Sequence, residues 1–518
     1  MTQGRGGSAG TNAPTASGVG HLTQFLVQSR WNASIGLQRG LEVKLTGICG
    51  RYTLTGVLLA LAACGDDGGG GSPASDVGTL AYVVTSCREV AGEATLQQEL
   101  RILHGKGETV TAMAVGPSGP FVSYGLCAWF GRDRWGFAPV LGAFQRLGVT
   151  PDGTGVVFEL TDEFALVGRD LLPTAQRGMY YVRADGSGLR PLGPASRFPA
   201  FQPVQIGKQF SDTTLSFDPR GRQFTYVDRG PDEAGDDAPQ VFVQRLTTGA
   251  RRPLTRLPRV AAAEASNHPD IAIPYFIDAR TILFARFTAL PDQYGFLTVD
   301  AVDAQIRDLP TVAPPGGTLI PVFQIVGGQW QVSSAGVPGE ALNPLPGASP
   351  QEVFATEGTN VLQLTNFRRV DTDDAFGFFS PRDGRVYFPA SADPLGTNPS
   401  HDCQMFSMEP LTRDLRQVTV FHEGGDHWAA CLGGRRPNGC RMDFGHRGLP
   451  QNSVTGSIYF SSQCDPLGLN PNGTQLFAIQ PDGTGLRQLT NLRGFVQGED
   501  RNAEVETVGA PWAYVSPR

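Results

Sequence analysis

The 518 residues include 66 glycines and 39 prolines, and 40% are hydrophobic while 18% are charged. Abundant Gly and Pro disfavour long helices and suit short strands joined by tight turns, in a globular chain long enough for a large core. Lysine and arginine (42) are outnumbered by aspartate and glutamate (49), with a net charge of −7 and no basic stripe, so we expect no nucleic-acid partner.

Residues 1–63 are predicted to be a leader. Residues 1–42 are low in complexity and rich in Gly, Ser, Thr and Ala. Lys44 and Arg51 then precede the apolar run Leu54-Thr-Gly-Val-Leu-Leu-Ala-Leu-Ala-Ala63. The run is too short to span a bilayer, and it has the charged-then-apolar order of a secretory signal. We therefore interpret residues 1–63 as a disordered segment followed by a signal peptide.

A cysteine follows the apolar run directly. Leu61-Ala-Ala-Cys64 resembles the lipobox of bacterial lipoproteins, which implies that Cys64 is the lipidated first residue of the mature chain. Residues 64–77 would then be a flexible Gly-rich tether. A plain signal peptide with a chance cysteine is the alternative. Gly65, rather than Asp, follows Cys64; in the enterobacterial sorting pattern this favours the periplasmic side of the outer membrane over the inner membrane.

Of the eight cysteines, Cys49 lies in the leader and Cys64 is the expected lipidation site. The remaining six are candidates for disulfides, as an even number in an exported chain indicates. Cys87 and Cys127 stand alone in the first third of the chain and are predicted to pair. The other four allow three pairings, of which the short Cys431–Cys440 loop is the simplest. No Cys-x-x-Cys spacing occurs, which disfavours a zinc site. The six candidates are Cys87, Cys127, Cys403, Cys431, Cys440 and Cys464.

A strand–turn–strand motif recurs along the chain. Near the end it reads Leu476-Phe-Ala-Ile-Gln-Pro-Asp-Gly-Thr-Gly-Leu-Arg-Gln-Leu-Thr490, and earlier Met179-Tyr-Tyr-Val-Arg-Ala-Asp-Gly-Ser-Gly-Leu-Arg-Pro-Leu192. Each copy has an apolar strand, a tight Asp-Gly turn and a strand that ends in Leu or Leu-Thr. Such repetition of short strands indicates a repeat architecture. Seven copies begin near Glu99, Tyr180, Val241, Phe296, Val353, Met405 and Leu476.

A second motif alternates with the first, for example Phe379-Ser-Pro-Arg-Asp-Gly-Arg-Val-Tyr-Phe388. Pro, Asp and Gly favour a turn, and the Val/Tyr/Phe run that follows has strand composition. Together the motifs supply four short strands per repeat. They predict an all-β fold, a β-propeller of four-stranded antiparallel blades, with seven blades, or six or eight as alternatives.

The two motifs resemble the TolB-like propeller repeat, in which an SPDG-type strand precedes a hairpin with a DG turn and an LT ending. The resemblance covers about residues 78–518. A propeller ring must close, and Thr79-Leu-Ala-Tyr-Val-Val84 and Trp512-Ala-Tyr-Val515 are the expected closing strands. The resemblance implies a protein of envelope complexes, but no residue indicates a specific partner.

A longer segment is duplicated near the end of the chain. Tyr387-Phe-Pro-Ala-Ser-Ala-Asp-Pro-Leu-Gly-Thr-Asn-Pro399 matches Tyr459-Phe-Ser-Ser-Gln-Cys-Asp-Pro-Leu-Gly-Leu-Asn-Pro471. We expect these to be equivalent loops in neighbouring repeats. The long loops between residues 389 and 475 are our predicted binding surface.

The densest group of metal-ligand residue types also lies in this part of the chain. Four of the seven histidines occur there, and they could bind zinc or manganese. In a metal-dependent enzyme, Glu423 or Asp426 would be the catalytic base. The spacing is not His-Glu-x-x-His, although some propeller lyases do bind manganese through axial histidines. The alternative is a polar loop pinned by disulfides, with no cofactor. The four are His401, His422, His427 and His446.

These observations predict a lipid-anchored envelope propeller that binds a protein, peptide or glycan partner and has no catalytic residues. The alternative is a metal-dependent envelope enzyme, a carbohydrate lyase or hydrolase, that uses the four histidines. No Gly-x-Ser-x-Gly elbow or P-loop is found. The Asp-Gly pairs, such as Asp152 and Asp482, are interpreted as turns, since a calcium loop needs several clustered oxygen ligands.

Overall fold

The computed structural model places strands along the whole repeat region. The described residues belong to the larger of two compact units, Gly71–Arg518. They are 78–105, 107–116, 121–122, 127, 143–161, 163–164, 169–170, 176–198, 201–204, 208–211, 215–261, 270–287, 294–309, 324–326, 330–336, 351–357, 360–366, 377–390, 392–400, 402–421, 442–443, 449–452, 455–469, 473–494, 504–509 and 511–514.

These residues form 33 β-strands. In chain order they are β1 (Leu80–Val90), β2 (Glu93–His104), β3 (Glu108–Val115), β4 (Phe121–Val122), β5 (Phe144–Val149), β6 (Gly155–Leu160), β7 (Glu163–Phe164), β8 (Arg169–Asp170), β9 (Gly178–Arg183), β10 (Arg190–Gly193), β11 (Phe201–Val204), β12 (Lys208–Ser211), β13 (Ser216–Phe217), β14 (Gln223–Pro231), β15 (Asp237–Arg245), β16 (Arg251–Pro253), β17 (Ile271–Phe276), β18 (Thr281–Phe287), β19 (Tyr294–Asp300), β20 (Ile306–Leu309), β21 (Gln324–Val326), β22 (Trp330–Gly336), β23 (Gln351–Glu357), β24 (Asn360–Gln363), β25 (Phe378–Phe379), β26 (Val386–Ala390), β27 (Gln404–Met408), β28 (Leu415–Gln417), β29 (Met442–Asp443), β30 (Ile458–Ser462), β31 (Gln475–Ile479), β32 (Arg487–Gln488) and β33 (Val505–Val508).

The strands assemble into successive antiparallel meanders. Six four-stranded sheets have the orders β5-β6-β9-β10, β13-β14-β15-β16, β17-β18-β19-β20, β21-β22-β23-β24, β25-β26-β27-β28 and β29-β30-β31-β32. A further sheet has the order β33-β1-β2-β3, with β4 as a fifth strand on β2. We call this the first sheet and number the others in chain order. The all-β propeller of four-stranded antiparallel blades is confirmed: six sheets have the predicted four strands, and the first sheet has five. Two small hairpins, β7-β8 and β11-β12, lie between strands of the series.

The first sheet closes the ring, because it contains strands from both ends of the repeat region. β33 pairs with β1 from Val84↔Val508 to Cys87↔Val505. Ala81 and Trp512 add two backbone hydrogen bonds of 2.9 and 2.8 Å. The expected contact between residues 79–84 and Trp512 is therefore present. The main closing strand is β33, which the sequence analysis did not identify.

Apolar side chains fill the junctions between consecutive sheets. Six clusters of buried residues each join two neighbours, and every large side chain buried there stabilises the ring by about 1.5–3 kcal/mol. One pair from each cluster, in ring order, is Leu100 with Phe158, Val157 with Phe224, Val227 with Ile282, Val353 with Phe388, Tyr387 with Phe460, and Tyr459 with Tyr82.

The meander order gives the ring two different ends. First strands of neighbouring sheets approach one another, as β13 and β17 do, so the last strand of each sheet lies outermost. One end, the turn end, carries the connections from first to second and from third to fourth strand. The Asp-Gly turns lie here; Asp152 and Asp482 accept hydrogen bonds from the N–H of Thr154 (3.0 Å) and Thr484 (2.9 Å), as turn residues do. The opposite end, the loop end, carries the other loops and the links between sheets.

A buried glutamine holds each link at the loop end of three sheets; we call this contact the glutamine latch. In the last sheet, Gln475 Oε1 accepts hydrogen bonds from Thr490 Oγ1 (2.9 Å) and from the N–H of Leu492 (2.9 Å). Its Nε2 donates to the carbonyl of Leu492 (3.0 Å), and Thr490 Oγ1 accepts from the N–H of Leu476 (2.9 Å). The Leu-Thr endings of the sequence motif are therefore half of a buried polar contact.

The same geometry recurs at Gln240 with Thr255 and at Gln404 with Thr419. In the fifth sheet Glu352 replaces the glutamine and still accepts from Thr365. The sequence signal, Gln followed by an apolar residue and Phe, was visible at Gln240, Gln404 and Gln475 but was not recognised.

Cys87, on β1, is joined to Cys127 by a disulfide. This is the pair that the sequence analysis singled out. Cys403 and Cys464 are both disulfide-bonded and almost fully buried. Cys431 and Cys440 lie outside the described residues, so their predicted pairing stays a prediction. The leader, Cys64 and the tether also lie outside them.

We predict that Gln475→Ala lowers the free energy of unfolding by about 3 kcal/mol, because it removes the buried oxygen that accepts hydrogen bonds from the Thr490 hydroxyl and from the N–H of Leu492. Gln305→Ala, at an exposed turn position, is the control and should change stability by less than about 0.5 kcal/mol. Urea denaturation followed by tryptophan fluorescence measures both. Equal losses in the two variants would show that the latch contributes nothing specific.

Candidate functional site

The predicted metal ligands His401, His422, His427 and His446 lie outside the described residues, so their role stays a prediction. Among the residues that the structure does describe, no group of three or more His, Cys, Asp or Glu side chains could hold a metal ion. In the same part of the chain, no helix is long and apolar enough to cross a membrane. The candidate surface is therefore built from the described loops.

The duplicated segments form equivalent loops on adjacent sheets, as predicted. One joins β26 to β27 in the sixth sheet, and the other joins β30 to β31 in the seventh. Both connect second to third strands and so lie at the loop end. Gly396 (φ +70°) and Gly468 (φ +64°) occupy matching positions with the same left-handed backbone. We call the two loops, residues 391–403 and 463–474, the loop pair.

Internal hydrogen bonds hold the first loop rigid. Asp393 Oδ1 accepts from the N–H of Asn398 (2.7 Å). The buried Asn398 Nδ2 donates to the carbonyls of Ala392 (3.1 Å) and Asp402 (2.8 Å). Gln404, at the base of the loop, latches Phe421 through both backbone groups. The loop is thus fixed by its own polar side chains and presents a defined tip.

The second loop has a related but simpler base. Asp465 Oδ1 accepts from the N–H of Leu469 (2.7 Å), and the Asp465 carbonyl accepts from Gly468 N–H (3.2 Å). Gln475 latches the link below this loop as Gln404 does below the first. The aspartate at the base thus recurs in both loops, as the duplicated sequence predicts, whereas the N–H group that it accepts from differs.

The tips of the loop pair expose apolar side chains. Leu395 and Leu467 occupy matching positions and are 44% and 39% exposed, and Leu469 beside them is 64% exposed. Val420, on the link after β28, is 62% exposed. Exposed aliphatic residues scattered singly are ordinary, but two equivalent loops that both present leucine form a repeated apolar feature.

A group of buried charged residues lies inside the ring, between the second and third sheets; we call it the charged junction. Arg146 on β5 and Glu159 on β6 are both fully buried and form an ion pair. Arg146 also donates to the carbonyl of Phe198 (2.9 Å), while Glu159 Oε1 accepts from the N–H of Ser196. Burial raises the pKa of the Glu159 carboxyl, and the Arg146 guanidinium opposes that shift.

Asp228 on β14 extends the charged junction. It is fully buried and accepts from Ser196 Oγ (3.2 Å), the N–H of Arg197 (2.7 Å) and the guanidinium of Arg251 (2.6 Å). Burial is also the main reason that the pKa of Tyr226, on the same strand, lies well above its usual range. The two carboxylates thus hold the link after β10 from both sides.

The charged junction substitutes for the glutamine latch. Gly178 and Gly193 stand at the positions where the third sheet has Gln240 and Thr255, so the second sheet has no side chains to latch its link. Arg146, Glu159 and Asp228 bond the same kind of link residues instead. All three are buried and engaged with protein groups, which makes this constellation structural rather than a site for substrate. Sequence reasoning missed it, although an arginine within the apolar β5 was a signal.

Neither a protein-family model nor a curated protein matches the chain. Among solved structures, it is similar to TolB from Acinetobacter baumannii, at 13% identity over 83% of this chain and 82% of that chain, with a TM-score of 0.34. It is also similar to the β-propeller domain of the Trilobed protease from Pyrococcus furiosus (9%, 80% and 98%, TM-score 0.39). For oligogalacturonate lyase from Vibrio parahaemolyticus the values are 7%, 77% and 92%, with a TM-score of 0.41.

The similarity to TolB agrees with the repeat family that the sequence motifs resemble. At this level of identity and superposition it carries no argument about function. The propeller fold rests on the sheet pairings and on the closure by β33.

We predict that Arg146→Met and Glu159→Leu each lower the free energy of unfolding by about 3–5 kcal/mol, because each leaves a buried charge without its partner. The double variant should lose much less than the sum of the two single losses. Chemical denaturation of the four proteins completes the cycle. Strictly additive losses would contradict a coupled buried pair.

Proposed function

We propose that the protein is a binding or scaffolding module and that the loop pair is its partner-binding surface. The observation that carries the proposal is the duplicated loop, which presents Leu395 and Leu467 at matching positions on adjacent sheets. Rigid loops on a closed ring bind with little ordering cost, since their internal hydrogen bonds already fix the tips. A protein or peptide partner fits exposed leucines best, and a glycan is the other class.

We also propose that the module is held at a bacterial envelope membrane through lipidated Cys64, on the periplasmic side of the outer membrane. Support comes from the lipobox-like Leu61-Ala-Ala-Cys64 and the Gly-rich tether that follows it. The disulfide between Cys87 and Cys127 is in keeping with an exported protein. The tether would let the ring present its loop end to a partner away from the membrane.

We predict that Leu395→Asp combined with Leu467→Asp weakens partner binding without unfolding the ring, because both side chains are exposed. A photoreactive amino acid at position 397, beside Leu395, would report cross-linking on whole cells. We expect the double variant to lower the yield at least about tenfold, which corresponds to about 1.4 kcal/mol of binding free energy.

The matched control for this prediction is Leu411→Asp, at the turn end of the sixth sheet, where the side chain is 72% exposed. It should leave cross-linking unchanged. Equal cross-linking by the wild type and the double variant, with the control also unchanged, would refute the loop pair as the binding surface.

A second candidate function is a metal-dependent envelope enzyme acting on carbohydrate. One observation favours it: Asp402, next to His401, is only 3% exposed, and its Oδ1 has no hydrogen-bond partner among the described residues. Oδ2 accepts from Ser400 Oγ. A buried carboxylate oxygen without a donor suits a cation, and manganese or zinc are the metals that histidine and carboxylate ligands together select.

For this alternative we predict about one equivalent of bound manganese or zinc per chain by elemental analysis. His422→Ala with His427→Ala should remove it, and Asp402→Asn should weaken it. Asp465→Asn, in the equivalent loop of the seventh sheet, is the control and should retain the metal. A folded, disulfide-intact protein without metal would exclude this alternative and leave the binding function.

A further inference from the structure

The outermost strand of the first sheet differs from every other outer strand. β3 has eight residues, whereas the outer strands of the other sheets have two to four. Short outer strands limit the pairing of a sheet with foreign chains, since few backbone groups are left free. The first sheet lacks this protection.

β3 also lacks the charges that protect other edges. It reads Glu108-Thr-Val-Thr-Ala-Met-Ala-Val115, with one charged residue at its first position and no proline. Five of the other six outer strands contain arginine, and two of those contain proline. Charged residues and proline on an edge strand discourage strand addition. The segment from Thr109 to Val115 has neither.

Among the described residues, the backbone of β3 is paired on one side alone. Its register with β2 runs from His104↔Glu108 to Gln98↔Val115 and shifts by one residue at Ala112, between Arg101↔Thr111 and Leu100↔Met113. N–H and C=O groups of successive residues point to opposite sides of a strand, so on either side of this bulge about half of those on β3 face outward. No described residue pairs with that side, because β4 returns to β2 at Glu93–Ala94 rather than to β3.

Neighbouring side chains leave the edge accessible. Thr109, Thr111 and Ala114 are exposed, while Val110 and Met113 pack partly against the core between the first and second sheets. A strand added beside β3 would find an apolar surface continued on one face and solvent on the other. Aliphatic residues at alternate positions of that strand would match this pattern.

We propose that the outer edge of β3 binds an extended, largely uncharged polypeptide segment of a partner protein as an added β-strand. Before the bulge at Ala112, the outward donors and acceptors of residues 108–111 alternate with a rise of about 3.4 Å per residue, as those of an extended peptide backbone do. This surface is separate from the loop pair, since β3 lies at the periphery of the first sheet. Failure of one proposal therefore leaves the other standing.

The test uses the full chain and a defined strand probe, a fluorescent ten-residue peptide with four Thr-Val repeats between terminal lysines. A second version carries N-methyl groups at every other residue and cannot donate hydrogen bonds along one edge. Fluorescence anisotropy should show saturable binding of the first peptide and at least about tenfold weaker binding of the second, because several backbone hydrogen bonds are lost.

Proline substitutions at two adjacent positions test whether the peptide binds to β3. N–H groups of adjacent residues point in opposite directions, so one of Val110→Pro and Thr111→Pro removes an outward donor and the other a bond to β2. The variant that retains the wild-type circular dichroism and thermal midpoint should lose peptide binding.

Thr111→Lys with Ala114→Lys, at exposed positions, is the second blocking variant. Val302→Lys, at an exposed turn position, is the control and should bind normally.

Equal binding of the two peptides, or full binding by the lysine variant, would overturn the proposal. Sedimentation velocity of the unlabelled chain tests the other occupant, a second copy. A concentration-dependent dimer that Thr111→Lys with Ala114→Lys abolishes would mean that β3 pairs with β3 of another chain, which would overturn the assignment to a partner protein.

Discussion

The closure of the ring by β33 is the constraint on which the other contacts depend. Each sheet of a propeller buries both faces against its neighbours, so an open series would leave two apolar faces in water. Hydrogen bonds between β33 and β1, with the Ala81–Trp512 pair, place the first sheet beside the seventh. Only then do Tyr82 and Tyr459 share one buried cluster. A strand of four residues thus joins the two ends of the series, so that the apolar faces of the first and seventh sheets are buried against each other.

Within the closed ring, buried polar groups hold the links between sheets. Gln240, Gln404 and Gln475 do this with neutral hydrogen bonds, while Arg146 and Glu159 do it with an ion pair. The two solutions differ in physical consequence. A neutral latch has no charge to desolvate, whereas the ion pair is tolerated because each charge is bonded to its partner and to the backbone. Both leave the loop end with rigid bases from which the connecting loops project.

The loop pair and the edge of β3 are the two proposed surfaces of this protein, and they differ in chemistry. The loop pair offers aliphatic side chains at repeated positions, and the edge of β3 offers backbone donors and acceptors. In the described interior, the charged junction and the three latch glutamines are engaged in holding the links between sheets. This distribution agrees with the proposed partner-binding function. The two surfaces lie where the chain departs from the common repeat: at β3, which is longer than the other outer strands, and at the duplicated loops.

The all-β class, the Asp-Gly turns and the equivalence of the duplicated loops were determined by the sequence itself, because strands and tight turns follow from residues that are neighbours in the chain. Contacts between distant residues were not predictable in this way. The identity of β33 as closing strand, the partner of Arg146 and the role of Gln475 appeared only once the sheets were packed. Each of these depends on contacts between residues far apart in the chain, and the packed tertiary structure alone decides which of those residues meet.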